Sequence, residues 1–201
     1  METTAAATAP TAHRSAPSSQ NSLSRNAFIF GEYDTIQIEG RTVEILLLRH
    51  GIAADARPGQ PDADRALTAE GKQKLRALLR RLRKAGVRPA LILSSPYLRA
   101  RQTAELAREI LAPDAIIVPA RALAPGSAPQ EAWDEIRLYA NQPSVLCSSH
   151  EPLCSQLAGF LLAVGELAVD FKKGAMMRID VEPASPRPRG TLRWLVSPRL
   201  A

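Results

Sequence analysis

The stretch VEILLLRHG, residues 43–51, is an apolar run that stops at an arginine, a histidine and a glycine. Ile45, Leu46, Leu47 and Leu48 leave no polar position between them. A short run of that kind reads as a strand buried on both faces, the pattern of a parallel sheet. Such a strand delivers Arg49 and His50 to the carboxyl edge of the sheet, where open α/β folds bind their ligands. Gly51 removes a side chain where a bound group would need room. A guanidinium beside an imidazole suits an oxyanion, above all a phosphoryl group, because arginine offers a planar fork of donors.

The flanking sequence divides into three parts. Residues 1–26 are rich in Ala, Thr, Ser and Pro and are expected to be a disordered tail. Phe28, Ile29, Phe30, Ile36 and Ile38 suggest an added strand or hairpin over 27–41, and residues 42–201 read as one domain.

Within that domain, strands and helices alternate. Thr68 is a suitable N-cap with Glu70 in the first turn, and Leu75, Leu78, Leu79 and Leu82 then recur at helical spacing with basic residues on the other faces. Gly86 and Pro89 end this helix. A strand at 90–93 leads to Ser95 and Pro96, read as the N-cap and first position of a helix that reaches Leu111. Arg99 falls in its first turn, and Arg101, two positions on, points elsewhere. A strand at 116–118, a helix at 131–139 and a strand at 144–149 ending at His150 follow. Pro152 opens a helix carrying Leu153, Leu157 and Leu161, and strands at 176–181 and 191–196 form an antiparallel hairpin at the sheet edge. The expected fold is an α/β three-layer sandwich with a mostly parallel sheet.

Composition narrows the chemistry. The net charge is +6, and residues 1–41 carry −1, so the basic excess lies in the domain. That favours an anionic partner, but aromatics are only 4 %, poor support for stacking on nucleic-acid bases. The apolar runs fall well short of the roughly 20 residues that span a bilayer. The N-terminal residues lack the basic flank and leucine-rich block of a secretory signal, so the cytoplasm is the expected compartment. Cys147 and Cys154 are spaced too widely for a Cys-x-x-Cys pair and read as buried thiols. His13, His50 and His150 are the three histidines, and without an acidic cluster beside them no metal or other cofactor is expected.

Three strand tips therefore present residues suited to phosphate: Arg49 with His50, Arg99, and His150. In that order the chain carries LLLRHG at 46–51, RALTAEG at 65–71, SSPYLRARQTA at 94–104, SSHEPL at 148–153 and RWLVSP at 193–198. Together these resemble the histidine phosphatase superfamily, with its phosphoglycerate-mutase-like fold, and within it the SixA-type phosphohistidine phosphatases. The resemblance covers roughly 42–198 and says nothing of residues 1–40. It implies that His50 is the nucleophile that accepts a phosphoryl group, that Arg49 and Arg99 hold the phosphoryl oxygens, and that His150 donates to them from across the site. Arg65 would sit at the rim in reach of phosphate, and Gly51 and Ser149 would complete the substrate-binding surface. Flanking cations are expected to keep His50 unprotonated and nucleophilic.

Ester-cleaving branches of the superfamily usually place a glutamate after the third strand as general acid. Here PARALAPGS, residues 119–127, holds none. An imidazole leaves without a strong positioned acid whereas an alkoxide needs one, so the gap favours a P–N substrate over a P–O one. The implied substrate is a phosphorylated histidine on a phosphotransfer protein. The nearest alternative is a phosphomonoesterase of the same fold acting on a small metabolite, with Asp55, Glu131 or Glu151 recruited as the acid. A non-catalytic module docking nucleic acid or an acidic protein through its arginine-rich helix is the other, and the oligomeric state stays open.

Overall fold

The computed structural model describes residues 42–182 and 186–200. The expected tail over 1–26 and added strand over 27–41 lie outside the described residues. Six strands form one mixed sheet: β1 (Val43–Arg49), β2 (Leu91–Ser94), β3 (Ile116–Pro119), β4 (Ser144–Ser149), β5 (Met176–Val181) and β6 (Thr191–Val196), in the order β3-β2-β4-β1-β5-β6. The pairs β1–β4, β2–β4 and β2–β3 are parallel, whereas β5 runs antiparallel to β1 and β6 antiparallel to β5. The helices are α1 (Ala69–Lys84), α2 (Leu98–Leu111), α3 (Pro129–Arg137) and α4 (Leu153–Leu161). None of the described helices is long and apolar enough to cross a membrane.

The apolar run of β1 is explained by two cores. Successive strand side chains point to opposite faces. Val43, Ile45 and Leu47 pack with Trp133 and Ile136 of α3 and Leu153, Leu157 and Leu161 of α4. Leu46 and Leu48 pack on the other face with Leu75, Leu78, Leu79 and Leu82 of α1 and Ala104, Ala107 and Leu111 of α2. The parallel register then sets the site. Arg49 stands beside Ser149, and Ser94 beside Ser148, so the ends of β1, β4 and β2 lie together at one edge of the sheet.

Two helix starts differ from the sequence expectation. Helix α2 begins at Leu98 rather than at Pro96, and Tyr97 occupies its N-cap without a side-chain hydrogen bond. The hydroxyl of Ser95 is drawn instead to His150, 2.8 Å from its Nε2, and meets the Tyr97 N–H only at 3.4 Å. A polar contact across the sheet edge outweighs the local cap. Helix α3 starts two residues early, with Pro129 in the first turn, where the missing N–H costs nothing. Its Glu131 reaches back to accept from the Ala128 N–H at 3.1 Å.

Thr68 caps α1 as expected, its Oγ1 accepting from the Gly71 N–H at 2.9 Å. Gly71 matters for a second reason. A Cβ there would stand 2.3 Å from the Ile52 carbonyl oxygen and 2.9 Å from its nitrogen, so α1 packs directly on the backbone that follows His50. Alanine in place of a helical glycine ordinarily gains up to about 1 kcal/mol. Here overlap with backbone reverses the sign, and Gly71→Ala is expected to lower stability by about 3 kcal/mol, read from urea midpoints at unchanged m-value.

Candidate active site

His50 sits just past the end of β1, 8 % exposed, with its backbone N–H bonded to the Ser149 carbonyl at 2.9 Å. Its ring is fixed from both sides. Nδ1 lies 2.7 Å from the Gly51 carbonyl oxygen, which can only accept, so Nδ1 carries the proton. Nε2 is then a bare lone pair, and it accepts from Arg99 Nε at 3.3 Å. The His50 pKa is lowered to about 4, first by burial and then by the charges of Arg99, Arg49 and Lys173, against the Gly51 hydrogen bond that raises it. The cations expected to keep the ring neutral do so, but desolvation is the larger cause. With the neutral ring as nucleophile, the role the resemblance implies for His50, the acid limb of kcat/KM is expected near pH 4 rather than near 6.5. A pH profile from 3 to 8 checks this.

Arg99 is 6 % exposed in the first turn of α2, while Arg101 points to solvent. Thr103 on the next turn ties the helix to the histidine loop, donating to the Arg99 carbonyl at 2.7 Å and accepting from Gly51 N–H at 3.2 Å. The guanidinium of Arg99 is held by a residue that the sequence reading did not single out. Its NH1 donates to the Asp62 carbonyl at 2.7 Å and its NH2 to Asp62 Oδ2 at 2.8 Å. Arg65 donates to the other carboxylate oxygen at 2.8 Å and through Nε to the Ala54 carbonyl at 2.8 Å. Arg65 therefore reaches the site by way of Asp62. The two guanidiniums hold the Asp62 carboxyl below the usual carboxylate range, Arg65 foremost. Tyr97 closes the cluster, its ring 4.9 Å from the Arg99 guanidinium carbon and edge-on to His150 at 5.2 Å.

His150, 2 % exposed beyond β4, faces His50 with ring centroids 5.1 Å apart. Its pKa is lowered to about 3, again chiefly by burial, so both rings are neutral at pH 7. His150 Nε2 lies 2.8 Å from the Ser95 Oγ, which also accepts from the Tyr97 N–H at 3.4 Å. Nδ1 of His150 and Nε of Arg49 are buried without a hydrogen-bond partner among the described residues. Arg49 also donates from NH1 to the Phe171 carbonyl.

The remaining candidates fall elsewhere. A Cβ on Gly51 would meet the Leu67 side chain at 3.3 Å and the Gly71 carbonyl at 3.5 Å, so Leu67 and the first turn of α1 pack close to this position. Ser149 donates its hydroxyl to the Leu123 carbonyl at 2.8 Å, leaving only its backbone to serve His50. Asp55 is exposed, Glu131 caps α3, and Glu151 accepts from the Ser155 hydroxyl. Cys147 and Cys154 are free and buried, and burial pushes both thiols well up. Among the described residues, no group of three or more His, Cys, Asp or Glu side chains could hold a metal ion. Asp62 was missed because nothing local marks it, since the loop at 52–66 carries several charges and the partner that selects this one lies 37 residues away.

Strand tip, paired imidazoles and a buried arginine come together at one edge of the sheet, an arrangement suited to an oxyanion. The model of the histidine phosphatase superfamily (branch 1) matches residues 45–121, from β1 through β3. A protein histidine phosphatase SixA, solved in complex with tungstate, superposes with a TM-score of 0.70 at 29 % identity, covering 78 % of this chain and 98 % of that one. A mycobacterial glucosyl-3-phosphoglycerate phosphatase shares the fold with a TM-score of 0.59 at 16 % identity, over 75 % of this chain and 97 % of its own. An uncharacterized protein of Picosynechococcus sp. is 45 % identical over 64 residues, 32 % of this chain, and the match spans 39 % of that relative's length. Residues 45–121 carry the match to the histidine phosphatase superfamily, and the likeness to the SixA structure extends over 78 % of the chain. Its fold follows that of the SixA structure over nearly the whole of that protein's length.

Proposed function

We propose that residues 42–201 form a protein phosphohistidine phosphatase that works through a covalent phosphohistidine on His50. The observation that carries this reading is the state of Asp62, the carboxylate bonded to the site's arginine, which two guanidiniums keep ionised. A group so held is a poor proton donor, and an alkoxide leaving group needs one. Once its other ring nitrogen has taken a proton from solvent, a phosphorylated imidazole leaves as a stable neutral molecule with no positioned acid of the enzyme. In the first step the His50 Nε2 lone pair bonds to phosphorus as the P–N bond to the substrate imidazole breaks. Water then attacks phosphorus, returning the lone pair to Nε2 and releasing inorganic phosphate. The Arg99 N–H that faces Nε2 and the orphan Arg49 N–H offer donors to the equatorial oxygens, and His150 would add a third from its Nδ1–H tautomer.

The substrate class is a phosphorylated histidine on a phosphotransfer protein, and the cytoplasm is the compartment. Fold likeness to a phosphatase named for a small phosphorylated metabolite favours a second reading, ester hydrolysis with another acid. Parallel assays separate the two. On the first reading, phosphoramidate hydrolysis exceeds aryl phosphate hydrolysis by about tenfold or more in kcat/KM, a barrier difference of about 1.4 kcal/mol. Faster ester hydrolysis, lost on replacing Glu131 or Glu151, would establish the second.

A further inference from the structure

A cleft of about 440 Å³ opens beside the phosphoryl site and shares Arg49 with it. Lys74 of α1, Lys172, Lys173 and Arg199 line it with a single acid, Asp170. Asp170 pairs with Lys172 at 2.6 Å, and Glu70 pairs with Lys74 from outside the lining, so five cations stand against two carboxylates. The catalytic chemistry uses only Arg49 of these.

The lysines are fixed relative to the site. Gly174 donates its N–H to the carbonyls of Arg49 and His50, at 3.1 and 3.0 Å, and Arg49 donates to Phe171 in return. Phe171 is buried in the core. The segment bearing Lys172 and Lys173 is thereby stapled to the catalytic strand, and the charge of Lys173 reaches His50.

We infer that this cleft is a docking surface for a protein substrate that presents carboxylates beside its phosphohistidine. The proposal rests on the phosphohistidine reading above and names the partner surface that reading leaves open. Charge complementarity selects an anionic neighbour, and the openness of the cations selects carboxylates on a protein: of the five, three are lysines and Arg199 is exposed. Lys74 and Lys172 are about half exposed, at 54 % and 50 %, on flexible stems. Exposed lysines are point charges that meet scattered carboxylates well, whereas a compact second phosphate calls for a buried guanidinium fork such as the one Arg99 supplies next door. Pairs of this exposed kind act mainly on encounter and orientation and weaken with salt.

The test uses the full chain and four probes: a small phosphoramidate, a phosphohistidine peptide flanked by Asp and Glu, the same peptide flanked by Ser and Gln, and an aryl phosphate bearing a second phosphate. The wild type is expected to favour the acidic peptide over the neutral one by about tenfold in kcat/KM at low salt. The double variant Lys172→Glu with Arg199→Glu is expected to erase that preference while changing phosphoramidate turnover by less than about twofold. The neutral pair Lys172→Gln with Arg199→Gln should fall between, and a thermal melt confirms that each variant folds. Equal hydrolysis of both peptides by the wild type, or a preference that survives charge reversal, overturns the docking surface while leaving phosphohistidine hydrolysis intact. A variant that loses the bisphosphorylated probe and keeps the acidic peptide overturns it in favour of a small-molecule subsite. Failure of the wild type on every P–N probe, with ester turnover, removes the phosphohistidine reading and the docking proposal with it.

Discussion

His50→Ala is expected to abolish the phosphoenzyme and to lower phosphatase turnover by about 10⁴-fold or more, the scale on which loss of a nucleophile registers. Three features of the site converge on that ring nitrogen. The Gly51 carbonyl takes the Nδ1 proton and leaves Nε2 with its lone pair, burial holds the pKa near 4, and Arg99 stands 3.3 Å away. At pH 7 nearly every molecule therefore presents a competent nucleophile. No thiol substitutes for it, since burial holds Cys147 and Cys154 protonated. The measurement is rapid alkaline denaturation after mixing with a phosphoramidate, followed by mass spectrometry of the peptide carrying residue 50. Acid-labile phosphate on that peptide in the wild type, and on no peptide of His50→Ala, is the expected result. Phosphate found on His150 instead would assign the two rings the other way round.

The parts of this site that could be read in the sequence are those set by strand patterning. A continuous apolar run has to be buried on two faces, and the alternation of Ile45 and Leu47 with Leu46 and Leu48 between two cores bears that out. A strand so buried has one free end for function, which is why Arg49 and His50 stood out. Helix spacing likewise separated Arg99 from Arg101. What the sequence hid are contacts made at long range by ordinary residues. Ser95 looked like a helix cap because capping is local, but its hydroxyl orients His150 55 residues away. Gly51 reads as room beside the histidine, and what packs nearest to it is the Leu67 side chain and the Gly71 carbonyl, 16 and 20 residues on. Asp62 and Tyr97 had no marking pattern at all, since their meaning lies in a guanidinium brought to them by another element.

Arg99→Ala is expected to lower kcat/KM by about 10²- to 10³-fold, the loss usual for one preorganised donor at a developing anion. Arg99→Lys should recover little of it, because an ammonium supplies one point of charge where the fork offers donors to His50 and Asp62 at once. The role of Asp62 follows from the same geometry. With NH1 and NH2 engaged by its backbone and side-chain oxygens, Arg99 can turn only its Nε toward the histidine. Asp62 is thus a positioning residue, and it also competes, since its carboxylate and a phosphoryl oxygen seek the same guanidinium. Asp62→Asn keeps an acceptor oxygen and the backbone contact while removing the negative charge. The expected result is a fall in kcat of about tenfold, as for other residues that orient a catalytic partner, together with tighter inhibition by inorganic phosphate. Kinetics with phosphate as competitor distinguish this from simple damage to the fold. A variant that lost kcat and phosphate affinity together would mean that Asp62 supports the loop alone, with no part in presenting Arg99 to the anion.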